Sequence, residues 1–136
     1  MKVVVDANIA AALFLDLAYS PNAREAIASA TEIIAPDLIA AEIANTLWKL
    51  VASKHIELEF TQRVLDGMIA VISEFVPGTS LAAEAVQYAC ALDHPAYDCF
   101  YLALAKRLQA RLLTADRRFA AALGRMEPTI DHVFIE

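Results

Sequence analysis

The chain predicts a single α/β domain, residues 1–136, built on a short parallel sheet. Three observations carry this expectation. Brief apolar runs with β character, such as Val3-Val4-Val5 and Ile33-Ile34, alternate with longer helix-like stretches along the whole chain. Its 28 alanines favour helices that approach one another closely. With 136 residues, 59% of them hydrophobic, there is material for one sizeable core. Strands alternating with helices imply parallel pairing, with roughly four or five strands and about seven helices on the two faces.

Lys2 to Asp6 reads as a fully buried strand, because Val-Val-Val is bounded by charge. Asn8 is a candidate cap for a first helix through Leu15. Ser20-Pro21 reads as the next helix start, with the hydroxyl as cap and Pro in the first turn, running to about Ala30. Glu32 to Ala35 is a second strand. Pro36 opens a long helix to about His55, with Leu38, Ile39, Ile43, Leu47, Leu50 and Val51 on its apolar side. Glu42 lies near that stripe, and Trp48 reads as core.

Thr61 reads as the cap of a helix carrying Val64, Leu65, Met68, Ile69 and Ile72. Glu74-Phe75-Val76 is a third strand, stopped by Pro77-Gly78. A helix from Ser80 ends near Leu92, where Asp93-His94-Pro95 breaks the chain. A strongly apolar helix follows from Tyr97 to Gln109. Arg111 to Thr114 is the fourth strand, Asp116 opens a helix to Leu123, and His132 to Ile135 forms a last strand.

The net charge of −6 argues at first sight against a nucleic-acid partner. Its distribution softens that argument. Six of the eleven basic residues (Lys106, Arg107, Arg111, Arg117, Arg118 and Arg125) fall in one short window, which reads either as a solvated face or as a phosphate-steering patch. No apolar run reaches the roughly 20 residues of a membrane span. The first residues show no signal-peptide pattern, and a cytoplasmic location is expected. Cys90 and Cys99 lack metal or redox spacing and read as small buried thiols.

Four acidic residues stand at the ends of apolar stretches: Asp6, Glu42, Asp98 and Asp116. A carboxylate beside Val, Leu and Ile is costly unless water, a hydrogen bond or a metal compensates it. Each alone has an ordinary reading. Asp6 and Asp116 suit helix N-caps, Glu42 a solvated face, and Asp98 a pair with Arg107 or Arg111. In open parallel sheets, however, ligands bind beyond the carboxyl ends of the strands, where Asp6 and Asp116 fall. Gathering all four there is the usual device for holding a hard divalent cation. His94 reads as a loop residue rather than a base, and His55 and His132 as surface residues.

Four segments carry a resemblance. They are Val4-Val5-Asp6-Ala7-Asn8; Pro36-Asp37-Leu38 with Glu42-Ile43-Ala44-Asn45; Tyr97-Asp98-Cys99-Phe100-Tyr101-Leu102-Ala103-Leu104-Ala105; and Leu113-Thr114-Ala115-Asp116-Arg117-Arg118-Phe119. In this order they resemble a PIN domain of the kind found in VapC-type ribonuclease toxins. The departures are Asn8, where many relatives have Ser, and Cys99, where many have Ala.

The resemblance implies a PIN-like nuclease domain over residues 1–136. It implies an Mg²⁺- or Mn²⁺-dependent endoribonuclease, the toxin of a type II toxin–antitoxin pair. Asp6, Asp98 and Asp116 would be direct metal ligands, and Glu42 would hold a second metal or orient the attacking water. Asn8 and Thr114 would support the carboxylates, and Arg117 and Arg118 are candidate RNA contacts. The implied partners are RNA, a cognate antitoxin and a second copy in a homodimer, with no membrane. The alternatives are an RNA-processing PIN nuclease that is no toxin and a catalytically silent PIN-like binding module. Phosphoryl transfer through an aspartyl-phosphate is disfavoured, because the chain lacks the second nearby Asp and the late-strand Lys that it requires.

Overall fold

Val3, Val4 and Val5 have no exposed surface, because their strand, β1 (Lys2–Val5), is the middle of a sheet covered on both faces. That is why the run is apolar without alternation. The computed structural model describes Met1 to Glu136. The other strands are β2 (Glu32–Pro36), β3 (Glu74–Val76), β4 (Arg111–Thr114) and β5 (His132–Phe134). Their order across the sheet is β3-β2-β1-β4-β5, and every neighbouring pair is parallel. Val4 sits opposite Ile34 on one side and Leu112 on the other.

Seven helices connect and cover the strands: α1 (Ala7–Ala12), α2 (Ser20–Ile27), α3 (Ile39–Ala52), α4 (Leu58–Val71), α5 (Ala82–Leu92), α6 (Ala96–Leu108) and α7 (Arg117–Gly124). The α/β class, the parallel sheet and the helix count agree with the sequence expectation. Helix α6 is apolar nearly all round because it packs on β1, β2 and β4 and against α5, burying Tyr101, Leu102, Ala103, Leu104 and Ala105. It belongs to a core cluster of 32 residues. No helix is long and apolar enough to cross a membrane.

From β1 the chain adds β2 and β3 on one side, then crosses to add β4 and β5 on the other. The reversal leaves a crevice beyond the carboxyl ends of β1 and β4, the usual ligand position in an open parallel sheet.

Several local expectations are corrected. Asn8 does not cap α1; Asp6 does, accepting from the Ile9 amide at 2.9 Å. The α1 helix stops at Ala12, short of Leu15. The Ser20 hydroxyl donates to the Leu15 carbonyl at 2.7 Å and so closes the loop before α2 instead of capping it. Thr61 lies inside α4, not at its start, and bonds back to Leu58. Pro36 ends β2, and α3 begins only at Ile39. Trp48 is exposed, at 63%, although Leu47 beside it is buried. Cys90 is exposed, and only Cys99 is buried.

Candidate functional site

Asp6, Glu42, Asp98 and Asp116 all line one cavity of about 430 Å³ at this crevice. Asp6 is the most enclosed of the four, at 6% exposure, because it follows the buried strand directly. Its Oδ1 accepts from the Ile9 amide. Its Oδ2 accepts from the Thr114 hydroxyl at 2.5 Å and from the Ala115 amide at 3.2 Å. Burial pushes its pKa from 3.8 up to about 6. The three hydrogen bonds oppose that rise and the Asp98 charge adds to it.

Thr114 ends β4 and is wholly buried. Its Oγ1 donates to Asp6 and accepts from the Asp116 amide at 3.0 Å, so one hydroxyl joins the ends of β1 and β4. Asp116 caps α7 by accepting from the Phe119 amide through Oδ1 at 3.0 Å. Glu42, in the first turn of α3, accepts from the Tyr101 hydroxyl through Oε1 at 2.6 Å. Asp98, in the first turn of α6, meets His94 Nε2 through Oδ2 at 2.6 Å. Burial raises the pKa of both Glu42 and Asp98, and neighbouring carboxylates add to the rise.

None of the four carboxylates pairs with Lys or Arg. The ionic contacts of the chain lie elsewhere, apart from His94 with Asp98. Arg107 is held by Glu84 and Arg111 by Asp131, so neither reaches Asp98. Arg117 pairs with Glu136 at 2.9 Å over the Phe134 ring, and neither it nor the exposed Arg118 lines the cavity. Arg107, Arg111 and Arg117 each pair with an acidic side chain at the surface. The cation that does line the cavity is Lys49, beside Asn8, Asn45, Thr46 and the 70%-exposed Tyr97.

Lys49, Tyr101 and the His94 contact were not anticipated. Asn45, Thr46 and Lys49 follow Glu42 by three, four and seven positions, so helical spacing alone places them on its face. Tyr101 likewise follows Asp98 by three positions, but its bond to Glu42, 59 positions away, had no local signal.

The donor set is all oxygen, the kind that suits a hard divalent cation rather than a soft one. No three acidic, His or Cys side chains stand close enough to close around one ion by themselves. A hard divalent cation placed there would take one or two of these carboxylates and complete its shell with water.

The profile of the PIN domain family matches residues 3–123. The chain belongs to the PIN domain family. Two curated relatives extend this. Ribonuclease VapC3 of Pyrobaculum aerophilum is 33% identical over 122 residues, covering 88% of this chain and 93% of that protein. Ribonuclease VapC1 of Mycobacterium tuberculosis is 36% identical over 92 residues, covering 66% of this chain and 67% of that protein. Among solved structures, PAE2754 from Pyrobaculum aerophilum superposes with a TM-score of 0.70 at 21% identity, over 98% of this chain and 92% of that one. VapBC2 from Rickettsia felis, solved bound to a promoter DNA fragment, gives 0.64 at 17% identity, over the full length of both chains. In this PIN domain, then, the acidic edge of the sheet is the place to look for chemistry.

Thr114 offers a direct check on the clasp between β1 and β4. Thr114→Val keeps the shape but strips a donor from Asp6 and orphans the Asp116 amide. It is expected to cost roughly 1–3 kcal/mol in urea unfolding, with Thr114→Ser close to the unaltered protein. A Val variant as stable as the Ser variant would show that the hydroxyl is structurally idle.

Proposed function

We propose that the chain is a divalent-metal-dependent endoribonuclease, the toxin of a toxin–antitoxin pair, with residues 1–136 acting as one nuclease domain. The observation that carries this reading is the convergence of Asp6, Glu42, Asp98 and Asp116 on one cavity with no Lys or Arg paired to them. Such a cluster holds either a proton or a cation at neutral pH. The relatives named as ribonucleases supply the substrate class.

Asp6, Asp98 and Asp116 are assigned to hold Mg²⁺ or Mn²⁺, one or two of them directly and the rest through its waters; the ion would supply a more acidic water and positive charge against the phosphate. Glu42 borders the same space and orients the attacking water. Thr114 holds Asp6 in place, and Asn8 lines the rim. Lys49 meets a substrate phosphate two helical turns along α3 from Glu42. The test is cleavage of single-stranded RNA by the purified protein, with EDTA and with metal restored. Activity undiminished by EDTA would exclude this mechanism.

Lys49→Ala is expected to weaken RNA binding and to lower the slope of log affinity against log salt by about 0.7, the value for one single-strand phosphate contact. Arg117→Ala, whose guanidinium is already held by Glu136, is expected to leave the slope alone. The reverse pattern would move the phosphate path out of the cavity.

For partners, the neighbour solved as VapBC2 supports an antitoxin. An apolar hollow lined by Phe14, Leu15, Leu17, Leu50, Ile56 and Phe60 is suited to apolar anchors of an antitoxin segment. The exposed Trp48, Ile69 and Val86 offer apolar surface to a second copy in a symmetric homodimer.

A further inference from the structure

We propose that His94 is a positioning residue: its ring holds the Asp98 carboxylate with one oxygen turned to the cavity. The inference rests on the reading of Asp98 as an ion ligand.

The geometry starts with the local sequence. Helix α5 ends at Asp93 in the left-handed conformation, φ 51°, and the His94 amide still bonds back to the Ala89 carbonyl at 3.1 Å. Pro95 follows, which keeps His94 out of the helical region, and α6 begins at Ala96. His94 and Asp98 are thus four residues apart across a helix start. The imidazole is 6% exposed and stacks on the buried Phe119 ring, with centroids 5.2 Å apart and planes at 21°. Held on that face, the ring does not swing out to water.

Its bond to Asp98 is short, 2.6 Å, as expected where a carboxylate accepts from a side-chain donor. It engages Oδ2 alone, and no protein group donates to Oδ1. The same division recurs nearby. Tyr101 takes Oε1 of Glu42 and leaves Oε2, while the Phe119 amide takes Oδ1 of Asp116 and leaves Oδ2. Each of these three carboxylates is fixed through one oxygen and offers the other. Asp98 differs in that its holder comes from the α5–α6 turn and is locked in place by α7.

Partners that orient a ligand carboxylate typically change metal affinity by about 10- to 100-fold. The test reads Mn²⁺ binding directly, from the free Mn²⁺ signal in electron paramagnetic resonance at one fixed pH, without RNA. His94→Phe keeps a ring against Phe119 and removes the donor. His94→Gln keeps a donor and gives up the stack. The Phe variant is expected to bind Mn²⁺ about 10- to 100-fold more weakly and the Gln variant to recover most of the loss, both with native circular dichroism. Equal weakening in both, or none in the Phe variant while Asp98→Asn weakens binding, would overturn the role. Unchanged binding in Asp98→Asn as well would overturn the ligand reading beneath it.

Discussion

Asp98→Asn is expected to lower the rate of RNA cleavage by roughly a hundredfold or more while leaving the fold intact. A metal ion contributes several kcal/mol to the transition state, and each ~1.4 kcal/mol is a factor of ten. Asn keeps the shape of the side chain and an acceptor for His94, so packing around α6 is preserved. What it removes is the charge of a half-buried carboxylate whose ionisation burial and the Asp116 charge disfavour and His94 favours. The measurement is the initial rate on a labelled single-stranded RNA at saturating Mn²⁺, with melting followed in parallel. A variant within about threefold of the unaltered protein would take Asp98 out of the reaction, since so small a change is under ~1 kcal/mol.

The second large effect is on stability. Burial holds the Asp6 proton up to about pH 6, whereas the unfolded chain releases it near 3.8. Between those values the folded state binds more protons than the unfolded state, so stability falls as pH rises through the window. The difference of about two pH units corresponds to roughly 3 kcal/mol, present in full below about pH 4 and lost above about pH 6. Glu42 and Asp98 shift in the same direction and add to the fall. In EDTA the melting temperature is therefore expected to drop by about 10 °C between pH 4.5 and 7.5. Millimolar Mn²⁺ at the upper pH is expected to restore it, because an ion that binds only the folded state stabilises it by mass action. Asp6→Asn is expected to flatten most of the pH dependence. Melting in EDTA that rises or stays level across this range would overturn the raised pKa assigned to the buried Asp6.

What the sequence made legible was local. Val3-Val4-Val5 before Asp6, and Leu112-Leu113-Thr114 before Asp116, announce strands that end in acids, and the parallel class puts both acids at one edge. Asp98 in the first turn of α6 was legible from the helix start after Pro95, whereas Glu42 reaches a first turn only because α3 begins at Ile39 and not at Pro36. The hydroxyl residues Ser20 and Thr61 were misread as caps because a side-chain oxygen satisfies whichever group the chain brings near, and the path of the loop decides that. Trp48 was misread because one step along a helix turns a side chain by about 100°, from the buried row of Leu47 out to solvent. The partners of the carboxylates were hidden for a different reason. Tyr101 reaches Glu42 across 59 positions, and the burial of His94 depends on Phe119 from another helix.

The clasp between Thr114 and Asp6 spans 108 positions. In synthesis from the N-terminus, Asp6, Glu42 and Asp98 are joined to the chain before Thr114 is added. Until then β1 has no β4 beside it and Asp6 lacks the hydroxyl that holds it. The cleft therefore cannot be complete before β4 has been made and has paired with β1, and a chain stopped short of Thr114 carries three of the four carboxylates but no assembled site.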